Sequence, residues 1–404
     1  MTRKIFTLDL LFLLLFTIQL ECQQPKEGQK AGTVSTSKST AGQPAGMWVT
    51  TYWGYWWQYT VPPWTIPWES ITHVIHFDAT YPQPSPPYYR VGPECELGAD
   101  GKHYQDSLLV EAHRNNVKVI LGYAFNNQDQ VFQQGDAVVR EWAHTILTYA
   151  KVKGYDGIDL DLEPGPGPDQ QAWWGNAIQA LHDTLATWNP PGILTVAVMQ
   201  YFGEYFPLNL NLCDQVNVME YDQAGSWNTG TGYNSPLYTH PGFPGGDDSS
   251  GIFSWVASNR VPLEKIGFGV ATYGRVYNGV SAPASTPNNN YAYRWYTDIV
   301  NTDMKSPTAT VTWDDISKVP YVSDPEKKLW ITYDDTLSLR HKADFAKRNG
   351  FGGFMIFGQG EGYLFTPPPG RDPNELTKAV SATLGKLAKI PTTVIPPGNN
   401  SGKE

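Results

Sequence analysis

The chain has 404 residues, a length that suggests two or three domains but also fits a single α/β barrel with an insertion. Its formal net charge of -10 argues against nucleic acid and anionic membranes as partners, because both require a basic surface. Aromatic residues make up 13% of the chain, with 15 Trp and 23 Tyr, and this excess of flat amphipathic rings favours a neutral ligand.

The N-terminal segment, residues 1–22, has the pattern of a signal peptide. Arg3 and Lys4 precede an apolar run that is too short to cross a membrane comfortably. A buried apolar helix would leave the polar sequence that follows it unexplained. Cys22 stands where a lipoprotein carries its lipid, but Glu21 occupies a position normally held by a small residue, so ordinary cleavage is favoured over lipid anchoring. We therefore expect a secreted protein without a transmembrane segment.

Residues 23–45 consist largely of small and polar residues, so they bury too little apolar surface to fold and are expected to form a flexible linker. The folded region is predicted over residues 46–388, and a flexible C-terminal tail over 389–404. Cys95 and Cys213 are the only cysteines of the folded region, which allows at most one disulfide, and we expect two free thiols.

Short apolar runs typical of β-strands alternate with helical patterns through the folded region. This alternation favours a parallel sheet, and eight such runs favour a closed (β/α)8 barrel, the TIM barrel fold. The interval before the last run is longer than the others, and its short alternating pieces predict a small α+β insertion over 277–335 rather than a separate domain. The eight runs are residues 47–52, 71–79, 117–125, 155–163, 192–201, 214–222, 265–274 and 350–358.

The fourth run, GYDGIDLDLEPG, places Asp159, Asp161 and Glu163 on every second position, with Ile and Leu between them. Alternate residues of a strand share a face, so the three carboxylates point into the barrel, roughly 7 Å apart along the strand. Burial and mutual repulsion disfavour full ionisation of such a set. Glu163 comes last, at the C-terminal end of the strand where barrel enzymes carry out their chemistry, and is the natural general acid for protonating a glycosidic oxygen.

Two alternatives to this interpretation concern the same run. A solvent-facing stripe of acids on an edge strand would make poor use of the Ile and Leu between them. Asp156 is out of phase with the other acids, so a structural role at the start of the strand is favoured over catalysis.

At these residues the sequence resembles the family 18 glycoside hydrolases, the chitinases and their relatives. Their signature DxxDxDxE is matched by Asp156, Asp159, Asp161 and Glu163, and other strands agree with it in order. The resemblance covers about residues 47–365. It implies Met219, Tyr221 and Asp222 as the MxYD segment of the sixth strand, Tyr273 and Arg275 after the seventh, Phe357 on the eighth, and Tyr52, Trp56 and Phe77 around the sugar from the first two strands.

The resemblance implies a chitinase that hydrolyses β-1,4-linked N-acetylglucosamine chains with retention of configuration. Glu163 would act first as acid and then as base, while the N-acetyl group of the substrate attacks the anomeric carbon. Asp161 would hold the acetamido N–H, Tyr221 would orient its carbonyl, and Asp159 would share a proton with Asp161.

The other residues named by the resemblance are implied to bind the sugar chain, and each has a plainer interpretation. Met219 could fill the core, Asp222 could cap a helix, and Arg275 could pair with a surface acid. The third strand lacks the usual SxGG, which reads GYAF here, and Phe357 stands where the family usually has Trp. Because Phe offers less stacking area and no N–H, we expect weaker binding or an altered preference.

Two other functions compete with the chitinase. A non-catalytic chitin-binding lectin on the same barrel usually lacks the acid that Glu163 supplies. Endo-β-N-acetylglucosaminidases acting on N-glycans or peptidoglycan tend to lack the MxYD segment and the insertion. No cofactor and no metal are implied, because the histidines show no ligand spacing and the acids at the barrel mouth are too few for a metal site. The expected partners are chitin and chitooligosaccharides, bound by a monomer.

Overall fold

The computed structural model of the protein describes residues 46–92, 94–124, 129–163, 168–199, 208–225, 227–228, 230–241, 251–283, 291–385 and 387–389. The predicted signal peptide and linker, the alternative lipid site Cys22 and nearly all of the predicted tail lie outside these residues. Within this part of the chain, every helix is too short or too polar to span a membrane.

The strands and helices of the described residues follow one another in the alternation that the sequence predicts. The strands are β1 (Trp48–Gly54), β2 (His73–Pro82), β3 (Tyr89–Val91), β4 (Lys118–Tyr123), β5 (Gly157–Leu162), β6 (Ile193–Val198), β7 (Gln215–Met219), β8 (Ile266–Ala271), β9 (Gly274–Asn278), β10 (Tyr291–Arg294), β11 (Thr310–Asp314), β12 (Val319–Asp324), β13 (Leu329–Thr332) and β14 (Gly353–Phe357). The helices are α1 (Tyr104–Arg114), α2 (Asp129–Phe132), α3 (Asp136–Lys153), α4 (Pro168–Leu185), α5 (Ile252–Asn259), α6 (Tyr296–Asp298), α7 (Thr336–Arg348) and α8 (Glu375–Leu384).

Eight parallel strands close into a barrel in the order β1, β14, β8, β7, β6, β5, β4, β2, because β1 pairs with both β14 and β2. Each of the eight apolar runs of the sequence overlaps one of these strands, so the predicted (β/α)8 fold is confirmed. The short strand β3, which the sequence analysis does not predict, pairs antiparallel with the end of β2.

Strand β5 shows how the alternating pattern divides its side chains between two environments. The Ile and Leu residues Ile158, Leu160 and Leu162 are fully buried in the core between the barrel and its helices. That core includes the face of α3 whose apolar residues recur at steps of three and four, among them Trp142 and Ile146. The acids between the Ile and Leu residues are therefore directed into the barrel.

The insertion between β8 and α7 is a five-stranded antiparallel sheet in the order β10, β9, β13, β12, β11, and α6 lies within the same segment. Its own small core packs Tyr277, Val319 and Trp330 with Tyr233, which follows β7 in the chain. The sheet runs from Gly274 to Thr332, so it begins and ends three residues before the bounds predicted from the sequence.

The two cysteines of the described residues, Cys95 and Cys213, are buried and are not joined in a disulfide. The fold is therefore held together by its packed core.

Candidate active site

Asp159 is the deepest of the three acids that β5 directs into the barrel. Its carboxylate accepts hydrogen bonds from Thr195 of β6, at 2.5 Å, and from the hydroxyl of Tyr52 of β1, at 3.0 Å. Burial raises the pKa of Asp159 to about 6, although both hydrogen bonds lower it. The carboxyl is thus anchored by the adjacent strand β6 and, across the barrel, by β1, and it gains its proton near pH 6.

Asp161 and Glu163 form a hydrogen-bonded pair nearer the C-terminal end of the strand. Burial raises the pKa of Asp161 well above its ordinary value, and the charges of Glu163 and Asp159 add to this effect. Burial, together with the negative charge of Asp222, raises the pKa of Glu163 to about 7, although its bond with Asp161 lowers it. Glu163 is only partly buried, so it holds an exchangeable proton near neutral pH at the C-terminal end of β5.

A cavity of about 340 Å³ opens above these acids at the C-terminal ends of the barrel strands. Most of the side chains that line it are residues that the sequence analysis proposed: Tyr52, Phe77, Asp161, Glu163, Met219, Tyr221, Asp222, Tyr273 and Phe357. Strands that are far apart in the sequence therefore bring their end residues to one cavity, as expected for a barrel of this kind.

Aromatic rings form much of the cavity wall. Phe357 is stacked on Tyr221, with ring centres 6.0 Å apart and planes inclined by 26°. It also contacts Phe77 edge-on at 5.5 Å and Tyr52 at 5.8 Å. The position where Phe replaces the usual Trp is therefore the centre of an aromatic cluster, which offers flat apolar surface to a bound ring.

Asp222 is held in the cavity wall by Arg275. The chain enters the left-handed region at Asp222, with a φ of 59°, three residues beyond the end of β7. Its carboxylate pairs with the guanidinium of Arg275 and accepts a hydrogen bond from the hydroxyl of Tyr273. Arg275 also donates from Nε to Asn234 and lies over the ring of Tyr293, 4.8 Å from its centre.

Three of the proposed residues do not line the cavity. Arg275 is only 1% exposed and is paired with Asp222, which does line the cavity. Asp159 lies beneath Asp161. Trp56 is 41% exposed beside Phe77, with ring centres 5.8 Å apart, and is therefore placed next to the cavity, not within its lining.

Asp156, the first acid of the signature, lies just before β5 begins, at the opposite end of the strand from Glu163. Its carboxylate accepts hydrogen bonds from the backbone N–H of Val119 and from Lys118 Nζ, and it contacts His113 at 2.8 Å. These contacts join β5 to β4 and α1, which fits the structural role favoured from the sequence.

Four lining residues were missed by the sequence analysis: Ala197, Met199, Tyr293 and Glu361. Ala197 pairs with Asp161 in the register of β5 and β6, so both residues face the barrel interior. Met199 lies two residues further along the chain on the same face, so the alternation along this strand could have predicted both residues. Tyr293 belongs to the insertion, and Glu361 follows β14 in a glycine-rich loop, so no periodic pattern marks either residue.

No group of three or more His, Cys, Asp or Glu side chains in the described part of the chain is arranged to hold a metal ion.

A parallel (β/α)8 barrel with acids at the C-terminal end of one strand and an aromatic cavity above them is an architecture used by barrel enzymes, glycoside hydrolases among them. Residues 49–361 match the model of the Glycosyl hydrolases family 18. The match spans well over half of the chain, so the protein belongs to this family.

The curated relatives differ in their names. The chain is 30% identical over 240 residues to the oviduct-specific glycoprotein of Ovis aries, covering 53% of this chain and 43% of that protein. It is 26% identical over 266 residues to chitinase 1 of Aphanocladium album, covering 62% of this chain and 63% of the relative. The matched part thus spans less than two thirds of each of these relatives.

Solved structures share the fold. The Ostrinia furnacalis group IV chitinase, determined in complex with allosamidin, superposes with a TM-score of 0.72 at 20% identity, covering 84% of this chain and 98% of that structure. A mutant of the Nicotiana tobaccum class V chitinase, determined in complex with NAG4, gives a TM-score of 0.71 at 20% identity, covering 84% and 99%.

Proposed function

We propose that the protein is a secreted chitinase that hydrolyses β-1,4-linked N-acetylglucosamine chains by a retaining, substrate-assisted mechanism. The observation that carries this proposal is the pair of Asp161 and Glu163, in which Glu163 has a pKa of about 7 and lines the cavity at the end of β5. A general acid with a pKa near the working pH combines a useful protonated fraction with a useful acidity. Secretion is proposed from the N-terminal sequence alone.

The proposed mechanism has two steps. Glu163 gives its proton to the glycosidic oxygen as the bond from that oxygen to the anomeric carbon breaks. The carbonyl oxygen of the N-acetyl group bonds to the same carbon, which closes an oxazolinium ring. Water then attacks the anomeric carbon, Glu163 takes a proton from the water, and the ring reopens.

Three other residues would assist the attacking amide. Asp161, within hydrogen-bonding reach of Glu163, would rotate to hold the amide N–H and offset the positive ring. Tyr221 lines the same cavity and would donate its hydroxyl to the carbonyl oxygen. Asp159 would share the negative charge from below, which its pKa of about 6 supports because the group can gain or lose a proton near neutral pH.

The aromatic cluster around Phe357 supports a sugar as the ligand. The apolar C–H face of a pyranose ring stacks on aromatic rings, and the hydroxyls at its edge need polar partners. In the cavity lining, Phe357 and Tyr221 supply the aromatic surface and Asp222 supplies a polar partner. Arg275 would act indirectly, by holding Asp222 in place.

A non-catalytic chitin-binding lectin remains the second candidate, and an endo-β-N-acetylglucosaminidase acting on N-glycans or peptidoglycan the third. The lectin is kept as a candidate because one of the relatives is named as a glycoprotein, the oviduct-specific glycoprotein of Ovis aries. The presence of Glu163 and its raised pKa favour the enzyme.

Hydrolysis of chitooligosaccharides by the wild-type chain and by Glu163→Gln tests the proposal. Glu163→Gln should lower kcat by about 10³-fold while KM changes little, because only the proton transfer is lost. The exposed Glu326 provides the matched control, and Glu326→Gln should behave as the wild type. The first-formed product should have the β configuration by NMR.

Other results would favour the competing functions. Binding of chitin without release of soluble sugar, unchanged in Glu163→Gln, would identify a lectin. Activity on a high-mannose glycopeptide alone would identify an endo-β-N-acetylglucosaminidase. Equal cleavage of unsubstituted glucose polymers would exclude participation of the N-acetyl group.

A further inference from the structure

Glu361 is a second glutamate in the cavity, and the mechanism proposed above gives it no role. It lies in the loop after β14 and lines the same cavity as Glu163 and Tyr221. Its backbone is fixed on both sides, because its N–H donates to the carbonyl of Gly358 and its carbonyl accepts from the N–H of Tyr296, at 3.0 Å. The loop therefore presents this side chain to the cavity from a defined position.

The carboxyl oxygen Oε2 of Glu361 is buried and has no hydrogen-bond partner among the described residues. Buried polar groups are nearly always hydrogen-bonded, so an oxygen of this kind at a cavity wall is best explained by a partner that arrives with the ligand. No described cation forms an ion pair with Glu361, and Arg275 is already engaged by Asp222 and Asn234.

The surroundings of Glu361 favour its neutral form. Burial, together with the negative charge of Asp222, raises the pKa of Glu361 to about 8. The other titratable groups of the cavity lining are the acids Asp161 and Glu163 and the hydroxyls of Tyr52, Tyr221, Tyr273 and Tyr293, none of which is cationic. A protonated carboxyl donates one O–H hydrogen bond, and a bound sugar that displaces water buries the group further and reinforces this state.

We infer that Glu361 is a substrate-binding residue that donates a hydrogen bond from its carboxyl O–H to an oxygen of the sugar held in the cavity. This inference rests on the proposed function, and it assigns Glu361 to binding and not to bond cleavage. Glu163 would supply the catalytic proton and Glu361 would help to fix the sugar against the aromatic wall.

Calorimetric binding of a chitooligosaccharide tests the inference in a chain that carries Glu163→Gln, so that hydrolysis and titration of Glu163 are both removed. At pH 6, Glu361→Ala should weaken binding by about tenfold, the loss of one hydrogen bond. Glu361→Gln keeps an N–H donor of similar shape and should restore binding to within about threefold. Glu326→Ala, a change of the same type at an exposed position, is the control.

The pH dependence distinguishes a donor from a structural residue. Binding by the chain with native Glu361 should weaken by about tenfold between pH 6 and pH 9.5, because the carboxyl loses the proton that it donates. The chain with Glu361→Gln contains the same other titratable groups and should show a clearly smaller change. Thermal melts of every variant identify any that fails to fold.

Unchanged binding in Glu361→Ala would overturn the inference, as would equal pH dependence in Glu361→Gln. In an otherwise native chain, a loss of kcat in Glu361→Gln as large as that in Glu163→Gln would also overturn it, since Glu361 would then act in bond cleavage. If the chain bound no chitooligosaccharide and the native enzyme cleaved none, the proposed function would fail together with the inference. Native hydrolysis with no effect of Glu361→Ala would contradict the inference alone.

Discussion

Asp222 is the residue through which the charges of the cavity are connected. Its negative charge is a cause of the raised pKa of both Glu163 and Glu361. The buried guanidinium of Arg275 forms an ion pair with Asp222. This pairing stabilises a negative charge close to two other acids. The negative charge of Asp222, which this ion pair stabilises, thus helps to keep the protons on Glu163 and Glu361.

We expect Asp222→Asn to move the alkaline limb of the pH profile of kcat/KM to lower pH by about one unit. Removal of the negative charge lowers the pKa of Glu163, and the guanidinium of Arg275 left without a partner acts in the same direction. The catalytic acid then loses its proton earlier as the pH rises. The profile is measured on a soluble chitooligosaccharide, where kcat/KM reports the free enzyme.

Asp315→Asn is the matched control for this prediction, because Asp315 is exposed in the insertion and does not line the cavity. Its profile should coincide with that of the wild type. An alkaline limb that stays in place in Asp222→Asn would show that Asp222 does not control the ionisation of the acid.

At the scale of the element, strand β5 depends on a very close approach to β6. Gly157 pairs with Ile193 in the register of the two strands. A Cβ at Gly157 would lie 1.9 Å from the carbonyl oxygen of Ile193, so no larger residue fits without moving one strand. The same strand pair carries the bond between Asp159 and Thr195, two residues further along each strand.

Gly157→Ala should therefore lower both stability and activity. We expect a loss of about 3 kcal/mol or more in the free energy of unfolding, from overpacking against backbone. We also expect kcat to fall by about 10²-fold, because a shift of the strand misplaces Asp161 and Glu163. Urea unfolding and steady-state kinetics measure the two effects.

Gly350→Ala is the control that separates the steric clash at Gly157 from the backbone strain of replacing a glycine. Gly350 has a φ of 78°, but a Cβ there meets no atom within 4 Å. Backbone strain alone should cost about 1–2 kcal/mol and leave kcat unchanged. If Gly157→Ala behaved no worse than Gly350→Ala, the close approach of β5 to β6 would not be what holds the acids in place.

At the scale of the described molecule, the acids of the cavity make stability depend on pH. The pKa values of Asp159, Glu163 and Glu361 are raised to about 6, 7 and 8, so the folded chain keeps protons that the unfolded chain has already lost. Their contribution to stability is complete below pH 4 and is lost as the pH rises through these values. Buried His73 and His76, with pKa values lowered to about 4 and 3, act in the opposite direction, but only below pH 6.5.

We expect the melting temperature to fall between pH 6.5 and pH 8.5, because the buried acids with raised pKa, Asp161 included, keep their protons in the folded chain after the unfolded chain has lost them. Glu163 keeps its proton up to about pH 7 and Glu361 up to about pH 8, so together they account for on the order of 3 kcal/mol over this interval, at about 1.4 kcal/mol per pH unit. The double variant Glu163→Gln, Glu361→Gln cannot ionise at these positions and should show a clearly smaller slope, the remainder being due mainly to Asp161, whose pKa is also raised well above its ordinary value. A wild-type melting temperature that is constant or rises across this interval would contradict the prediction.

Much of the barrel and of its acids could be predicted because the controlling pattern is local. The alternation around Asp159, Asp161 and Glu163 is a property of consecutive residues, and a strand turns such residues to opposite faces. The position of Glu163 at the end of β5 follows from the same counting. The role of these residues in catalysis stays a prediction until Glu163→Gln is measured.

Arg275 and Glu361 could not be assigned in this way. Whether Arg275 faces a ligand or a carboxylate depends on Asp222 and Asn234, which lie 53 and 41 residues away in the chain. Glu361 follows a strand in a loop, where no period fixes the direction of a side chain. Its place in the cavity depends on the packing of that loop against the start of α6.

The sequence by itself determined the eight strands of the barrel, the family and the line of acids on β5, because these follow from periodicity and from a motif within one strand. Only the tertiary structure decided which carboxyl groups share the cavity and that the guanidinium of Arg275 is paired with Asp222. Those properties arise from burial and from charges brought together across the barrel, and a pKa responds to surroundings in space and not to neighbours in the chain.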